Sequence, residues 1–432
     1  MSGRRARNDL VARLCRPVWW LLIAGMATLP VHAQDSLPEA GSAAPSAAAQ
    51  ATPESAGPRP FAFGYIGWDD DPRYSEARTD QRFQGEPWGR PLAGAEVALD
   101  ESKFPGIAAG VKFSLDDQLV ANTSAAIAAI KRMQTQGTHF VLLDLPAGTV
   151  ARIADEFDDQ DLTFFNVAAS DDRLRGAHCR ADLLHTIPSD AMRNDALAQY
   201  LVSRQWSRVL VLRGPEPADA VVARSFARSA KRFGLDIVAT RDFILGNNPR
   251  EREQNNPKLI TSGVDYDVVY IADTQGEFSR SANFAVQHPR PVVGAAGLVA
   301  EAWHWSWNKH GARQLNNRLE RKADRPMTGY DWAAWAAVKA IVAGVQRTGS
   351  TDYAALRRYI LSDQIDLDGF KGFRMAFRDF NGQLGQPMLL STGNWVVAVA
   401  PLEGFLDPKN YLNTLGMDAR ESACRAAFGH DS

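Results

Sequence analysis

The sequence predicts an α/β protein of two similar lobes, each a mainly parallel sheet flanked by helices. Short apolar runs alternate with segments of helical period along most of the chain. The alternation falls into two blocks, divided near Ile187-Pro188. The length beyond residue 60 also exceeds what a single hydrophobic core usually holds.

Taken in order, residues 1–33 carry Arg4, Arg5, Arg7, Arg13 and Arg16, then the apolar run VWWLLIAGMATL, then Val31-His32-Ala33. That is the layout of an export signal cleaved before Gln34, and the apolar run is well short of the ~20 residues that span a bilayer. The product is expected outside the cytoplasm. Residues 34–60 are almost all Ala, Pro, Ser and Gly, with little to bury, and read as a disordered linker.

The first lobe opens with an apolar strand, FAFGYIGW at 61–68, and a loop bearing Trp68, Arg73, Tyr74, Arg78, Arg82, Trp88 and Arg90. The helix PLAGAEVALDE follows at 91–101. A strand end that feeds a helix start is where open α/β sheets bind ligands. Residues 111–115 read as a strand and 121–136 as a helix, with Ala126, Ile127, Ile130 and Met133 on one face. The run 140–143 is a buried parallel strand ending in Asp144-Leu145-Pro146-Ala147-Gly148, followed by a helix at 150–160 and a strand at 162–167. The next loop, 168–175, brings Ser170, Asp171, Asp172, Arg173 and Arg175.

The second block repeats the scheme. Helices are predicted at 189–204 and 218–233, and strands at 208–212, 237–242, 267–272 and 291–294. Arg213, Asp273 and Gln275 stand just beyond strand ends, where they could close on a ligand or merely cap a helix. Residues 304–325 read as a polar helix and 327–345 as a small-residue helix with an aromatic side. From Phe370 the pattern turns β, with Asn381-Gly382 as a hairpin turn expected to complete the second lobe. The lobes are thus expected at 61–186 plus about 303–360, and at 187–302 plus about 361–432.

Composition limits the function. A formal net charge of −2, more negative still once the signal is removed, with no basic tail or stripe, speaks against nucleic acid as a partner. Only Cys179 and Cys424 survive processing, and in an oxidising compartment they most simply form one disulfide; two buried free thiols are the alternative. The histidines form no HExxH or other ligand spacing, so no metal site is expected. GxSxG, GxxxxGK[ST] and GxGxxG are all absent, so no catalytic residue is assigned and no enzyme is expected.

The segments PLAGAEVALDE at 91–101, HTIPSDAMRNDALAQYL at 185–201, PVVGAAGLV at 291–299 and GYDWAAWAAVKAI at 329–341 resemble type I periplasmic solute-binding proteins of the branched-chain amino acid ABC-transporter group. The likeness runs from residue 61 to about 401. YIGWDDDPRY at 65–74 and HWSWNKHGARQLNNRL at 304–319 are similar to the subfamily encoded with pyrroloquinoline quinone (PQQ) dependent alcohol dehydrogenase systems. The resemblance implies a periplasmic protein with no required cofactor, with an inner-membrane ABC permease and a PQQ-dependent dehydrogenase as partners and PQQ as a natural ligand candidate. It also implies that hydroxyls after the strand at 140–143 and a carboxylate after 291–294 would grip an amino acid, yet this chain has Asp144-Leu145-Pro146 and Ala295-Ala296 there.

A flat tricarboxylate such as PQQ calls for an indole face and guanidinium forks. Trp68, Arg73 and Arg90 are the leading expectations, then Trp88, Ser170, Arg173, Arg213, Asp273 and Gln275. Against this stands a plainer reading: Trp68 caps a core, and the arginines pair with Asp69, Asp70, Asp71 and Glu76. A small alcohol-derived metabolite or an amino acid is the other ligand class, and an accessory or sensor protein of the dehydrogenase is the reading outside transport.

Overall fold

A computed structural model describes residues 57–75, 89–246, 248–424 and 428. The expected export signal and most of the linker lie outside these residues. Arg59 and Pro60, assigned to the linker from composition, are instead the first pair of a strand, because they meet Val111 and Lys112 of its neighbour.

The first part of the chain builds β1 (Arg59–Trp68), α1 (Leu92–Glu101), α2 (Lys103–Ala108), β2 (Val111–Val120), α3 (Thr123–Thr135), β3 (Phe140–Asp144), α4 (Ala147–Glu156), β4 (Thr163–Asn166) and β5 (Leu183–His185). Its strands form one sheet in the order β2-β1-β3-β4-β5, with every pair parallel. All five residues of β3 are buried, as befits a central strand covered on both faces. Asn122 starts α3 by accepting the Ala125 amide, so the helix begins two residues inside the expected span.

The next part builds α5 (Asp190–Ser203), β6 (Arg208–Arg213), α6 (Pro217–Phe233), β7 (Asp236–Asp242), α7 (Arg252–Asn255), α8 (Pro257–Ile260), β8 (Val268–Ala272), α9 (Glu277–Ala282), β9 (Val292–Gly294) and β10 (Val299–Glu301). The second sheet runs β7-β6-β8-β9, again parallel. The fold is thus α/β, with two parallel sheets flanked by helices.

The remainder supplies α10 (Ala312–Ala323), α11 (Gly329–Thr348), α12 (Tyr353–Ile360), the short pair β11 (Leu367–Asp368) and β12 (Arg374–Met375), and the hairpin β13 (Met388–Thr392) with β14 (Trp395–Ala400), which pairs with β10. Helices α1, α10, α11 and α12 cover one face of the first sheet, and α3 and α4 the other. Gly94 lets α1 cross α11 closely, since a Cβ there would collide with the Asp331 carbonyl.

Three features depart from the sequence reading. Residues 303–311 are not helical: Trp303 and Trp307 turn into the core and donate to Asn316 Oδ1 and the Phe370 carbonyl, both at 2.8 Å, so α10 starts only at Ala312. Asn381-Gly382 does close a tight turn, but Leu183–His185 is what its far limb meets, through a parallel bridge from Gln383 to His185. Residues Ile365, Leu367, Met375, Phe377 and Leu384 accordingly share the core of the first sheet rather than the second.

Cys179 and Cys424 form a disulfide, with Cα atoms 5.5 Å apart, across 245 residues of sequence.

The chain passes between the two sheets near residues 186–189, 301–303 and 385–388, as the change of core membership shows. Buried polar side chains tie the first and third passages together. Gln383 Nε2 donates to the His185 and Ile187 carbonyls, each at 3.1 Å, while its Oε1 accepts from Arg175 Nε at 2.9 Å. Gln386 Nε2 donates to the Thr186 carbonyl at 2.7 Å, and its Oε1 accepts from Lys371 Nζ at 2.8 Å. Lys371 lies 3.4 Å from the centre of the Trp332 ring, and burial drives its ammonium well below the usual lysine range. Deleting one member strands the others. Gln386→Leu should therefore cost about 1–3 kcal/mol in urea unfolding, and adding Lys371→Met should recover part of that loss; additive losses in the double variant would contradict the network.

Candidate ligand-binding site

At the C-terminal end of β3 a buried polar cluster forms. Asp144, fully buried, accepts from Tyr65 Oη at 2.8 Å, Tyr74 Oη at 2.9 Å and Arg73 Nη2 at 2.8 Å. Arg73 is also forked onto Asp71, with Nη2 to Oδ2 at 2.6 Å and Nε to Oδ1 at 3.0 Å, and reaches the Asp144 carbonyl at 3.2 Å. Burial raises the Asp144 carboxyl, with Arg73 and the two tyrosines pulling the other way. Burial also opposes the Arg73 charge, but Asp144, Tyr74 and Asp71 outweigh it and hold Arg73 above its ordinary value. Arg90 completes the cluster: its guanidinium lies 5.1 Å from the Tyr74 ring centre and its Nη2 donates to the Asp69 carbonyl at 2.9 Å.

Beside this cluster a cavity of about 330 Å³ opens between the two sheets. The first-sheet side contributes Ser170, from the loop after β4, and Thr328, Gly329 and Tyr330 at the start of α11. The second-sheet side contributes Asp190, Arg193 and Asn194 from the first turns of α5, Tyr270 from β8, Asp273 and Thr274 beyond it, and Glu301 from β10. Ser189 brings α5 in at this point by capping the Met192 amide immediately after the first inter-sheet passage. Tyr270 is held by its hydroxyl, which donates to Asn194 Oδ1 at 2.8 Å.

The expected residues divide around this cavity. Ser170 and Asp273 line it. Asp273 is at the same time the cap of α9, accepting the Gly276 and Ser279 amides at 3.0 and 2.8 Å. Trp68 packs against the core beneath the first sheet, with no hydrogen-bond partner for its indole N–H among the described residues. Arg73 is engaged as above. Arg173 pairs with Asp171 and Arg213 with Asp242, both on exposed surface, and Gln275 is exposed beyond β8. Trp88 lies outside the described residues. Asp190, Arg193, Tyr270, Glu301 and Tyr330 were not anticipated; the start of α5, directly after the lobe boundary, was the signal that could have found Asp190 and Arg193.

The two parallel sheets face the cavity from either side, an architecture similar to that of solved periplasmic ligand-binding proteins. Residues 85–285 match a family model described as periplasmic binding protein. Among solved structures, the chain is similar to a branched-chain amino acid ABC transporter periplasmic ligand-binding protein of Burkholderia xenovorans, with 13% identity, 85% of this chain and 100% of that one covered, and a TM-score of 0.65. It is similar also to an ABC transporter substrate-binding protein of Desulfitobacterium hafniense in complex with Leu, with 18% identity, coverage of 78% and 99%, and a TM-score of 0.60. A third is the branched-chain amino acid transporter substrate-binding protein of Streptococcus pneumoniae in complex with isoleucine, with 16% identity, coverage of 79% and 98%, and a TM-score of 0.57. At these identities the likeness is one of fold. No curated protein sequence matches.

Burial, reinforced by Asp172, pushes the Asp190 carboxyl up to about 6. The folded protein therefore holds this proton more tightly than the unfolded chain, so ionised Asp190 weighs against folding above about pH 6 and is relieved as pH falls toward 4. Asp190→Asn should stabilise the solute-free protein by up to about 2 kcal/mol at pH 7.5, with the advantage shrinking by pH 4.5. Urea unfolding at both pH values checks this, and an advantage that grows on acidification would contradict it.

Proposed function

We propose that the chain is the periplasmic solute-binding component of an ABC transporter, non-enzymatic, and that its solute is a small polar organic molecule held between the lobes and delivered to an inner-membrane permease. The observation that carries this reading is the cavity itself. It is lined from both sheets at their strand ends and adjoins the passages about which the lobes can turn. A solute that touches Ser170 and Tyr330 on one side and Arg193 and Tyr270 on the other would favour the closed arrangement, because those contacts are complete only there. The amino acid complexes among the similar structures support a solute of that size.

A narrower reading is PQQ, or a related planar aromatic anion, with a link to an alcohol dehydrogenase system. Its support is the likeness at 65–74 and 304–319. The geometry favours it less, since Arg73 is engaged by two aspartates and the cavity lining carries Asp190, Asp273 and Glu301.

Titration of intrinsic tryptophan fluorescence and of thermal stability with amino acids, small hydroxy acids and PQQ separates these readings. A saturable response to a small solute is expected, with stabilisation of about 2.7 kcal/mol at a hundredfold excess over Kd. Saturation by PQQ alone would move the assignment to the narrower reading, and no saturable response at all would overturn solute binding.

A further inference from the structure

The cavity contains one group whose chemistry is unspent. Arg193, three residues after Asp190 on the first turn of α5, makes no side-chain hydrogen bond and no ion pair among the described residues, and its Nε is buried without a partner. Asp190 attracts it through space without forming an ion pair, and the other acids around it are engaged elsewhere. Asp273 takes two backbone amides of α9, Glu301 accepts from Ser391 Oγ at 2.5 Å, and Asp172 takes the Ala191 amide, Ser225 Oγ and Arg228 Nη2. Asp190 faces Ser170, whose side chain hydrogen-bonds it. A guanidinium offers five donors in a plane, and leaving one partly buried and unanswered is unfavourable. The contrast with Arg73 is direct, for there both Nε and Nη2 are answered by carboxylates or a carbonyl.

Resting on the solute-binding reading of this cleft, we infer that the solute bears a carboxylate that docks on Arg193, and a donor group, ammonium or hydroxyl, that faces Asp190. A carboxylate matches the guanidinium fork through two parallel hydrogen bonds, which a neutral polyol or an amine cannot do. Asp190, three residues back on the same turn, sets the polarity of the solute, because a donor directed there lies beside Ser170 of the other lobe. Arg193 is then the residue that selects for charge, and Ser170 with Tyr330 the groups that report closure from the first-sheet side.

The test uses the full mature protein and a matched panel: leucine, 2-hydroxyisocaproate, leucinamide, isopentylamine, PQQ and glycerol. Affinities are read by calorimetry and by thermal shift for the wild type, Arg193→Met and Arg193→Lys, after confirming that the solute-free variants melt as the wild type does. Only the carboxylate-bearing members should bind; Arg193→Met should weaken them about 10- to 100-fold, and Arg193→Lys should weaken them less. Equal binding of leucine and leucinamide, or a carboxylate affinity untouched by Arg193→Met, would overturn the inference and leave solute binding standing. An affinity that is also unmoved by Tyr330→Ala would place the solute outside the cleft, and binding of no member would overturn both. Should a variant melt early, the carboxylate-to-amide ratio in the wild type decides alone.

Discussion

A carboxylate with no access to water sits at the end of the central strand of the first sheet, and the loop after β1 is arranged around it. Ionised Asp144 can persist there only because Arg73, Tyr65 and Tyr74 answer it. Those three come from β1 and the loop that leaves it, so the demand of one buried charge draws the loop down across the strand ends. Arg73 is thereby taken up in the structure of the loop. The cavity lies toward α5, β8 and β10, and the cationic side chain lining it is Arg193.

The same economy of buried polarity operates where the lobes join. Arg175, Gln383, Gln386 and Lys371 are each nearly inaccessible to solvent, and their partners are mostly backbone carbonyls of the passages themselves. Burial brings the Arg175 guanidinium down to about 10, an unusual setting for an arginine. Passages joined in this way are coupled, since loosening one leaves donors unmatched in another. The disulfide from Cys179 to Cys424 fastens the end of the described chain beside it.

Much of the architecture was legible in the sequence because it depends on local pattern. Strands such as β3 and β8 are continuous apolar runs, buried throughout, and the helix starts at Asn122 and Ser189 carry side chains suited to capping. The two-lobe division followed from repetition of that pattern. The site was less legible, because the partner of a charged residue is not written beside it. Arg73 finds Asp144 across 71 positions, and Arg175 finds Gln383 across 208. Trp68 looked like a stacking platform on loop position alone, yet the strand's pleat turns it toward the core under the sheet. The segment from about 361, expected with the second lobe, has residues 365–384 packing with the first sheet for a similar reason: β character says that a segment pairs, but not with which edge.

The most direct test of the central claim is a crystal structure of the protein holding its solute. The account predicts density between the lobes, an acidic end of the solute on Arg193, its donor group facing Asp190, and Arg73 still forked between Asp71 and Asp144. A solute stacked on Trp68 and gripped by Arg90, with Arg73 turned away from Asp144 to meet it, would contradict the account.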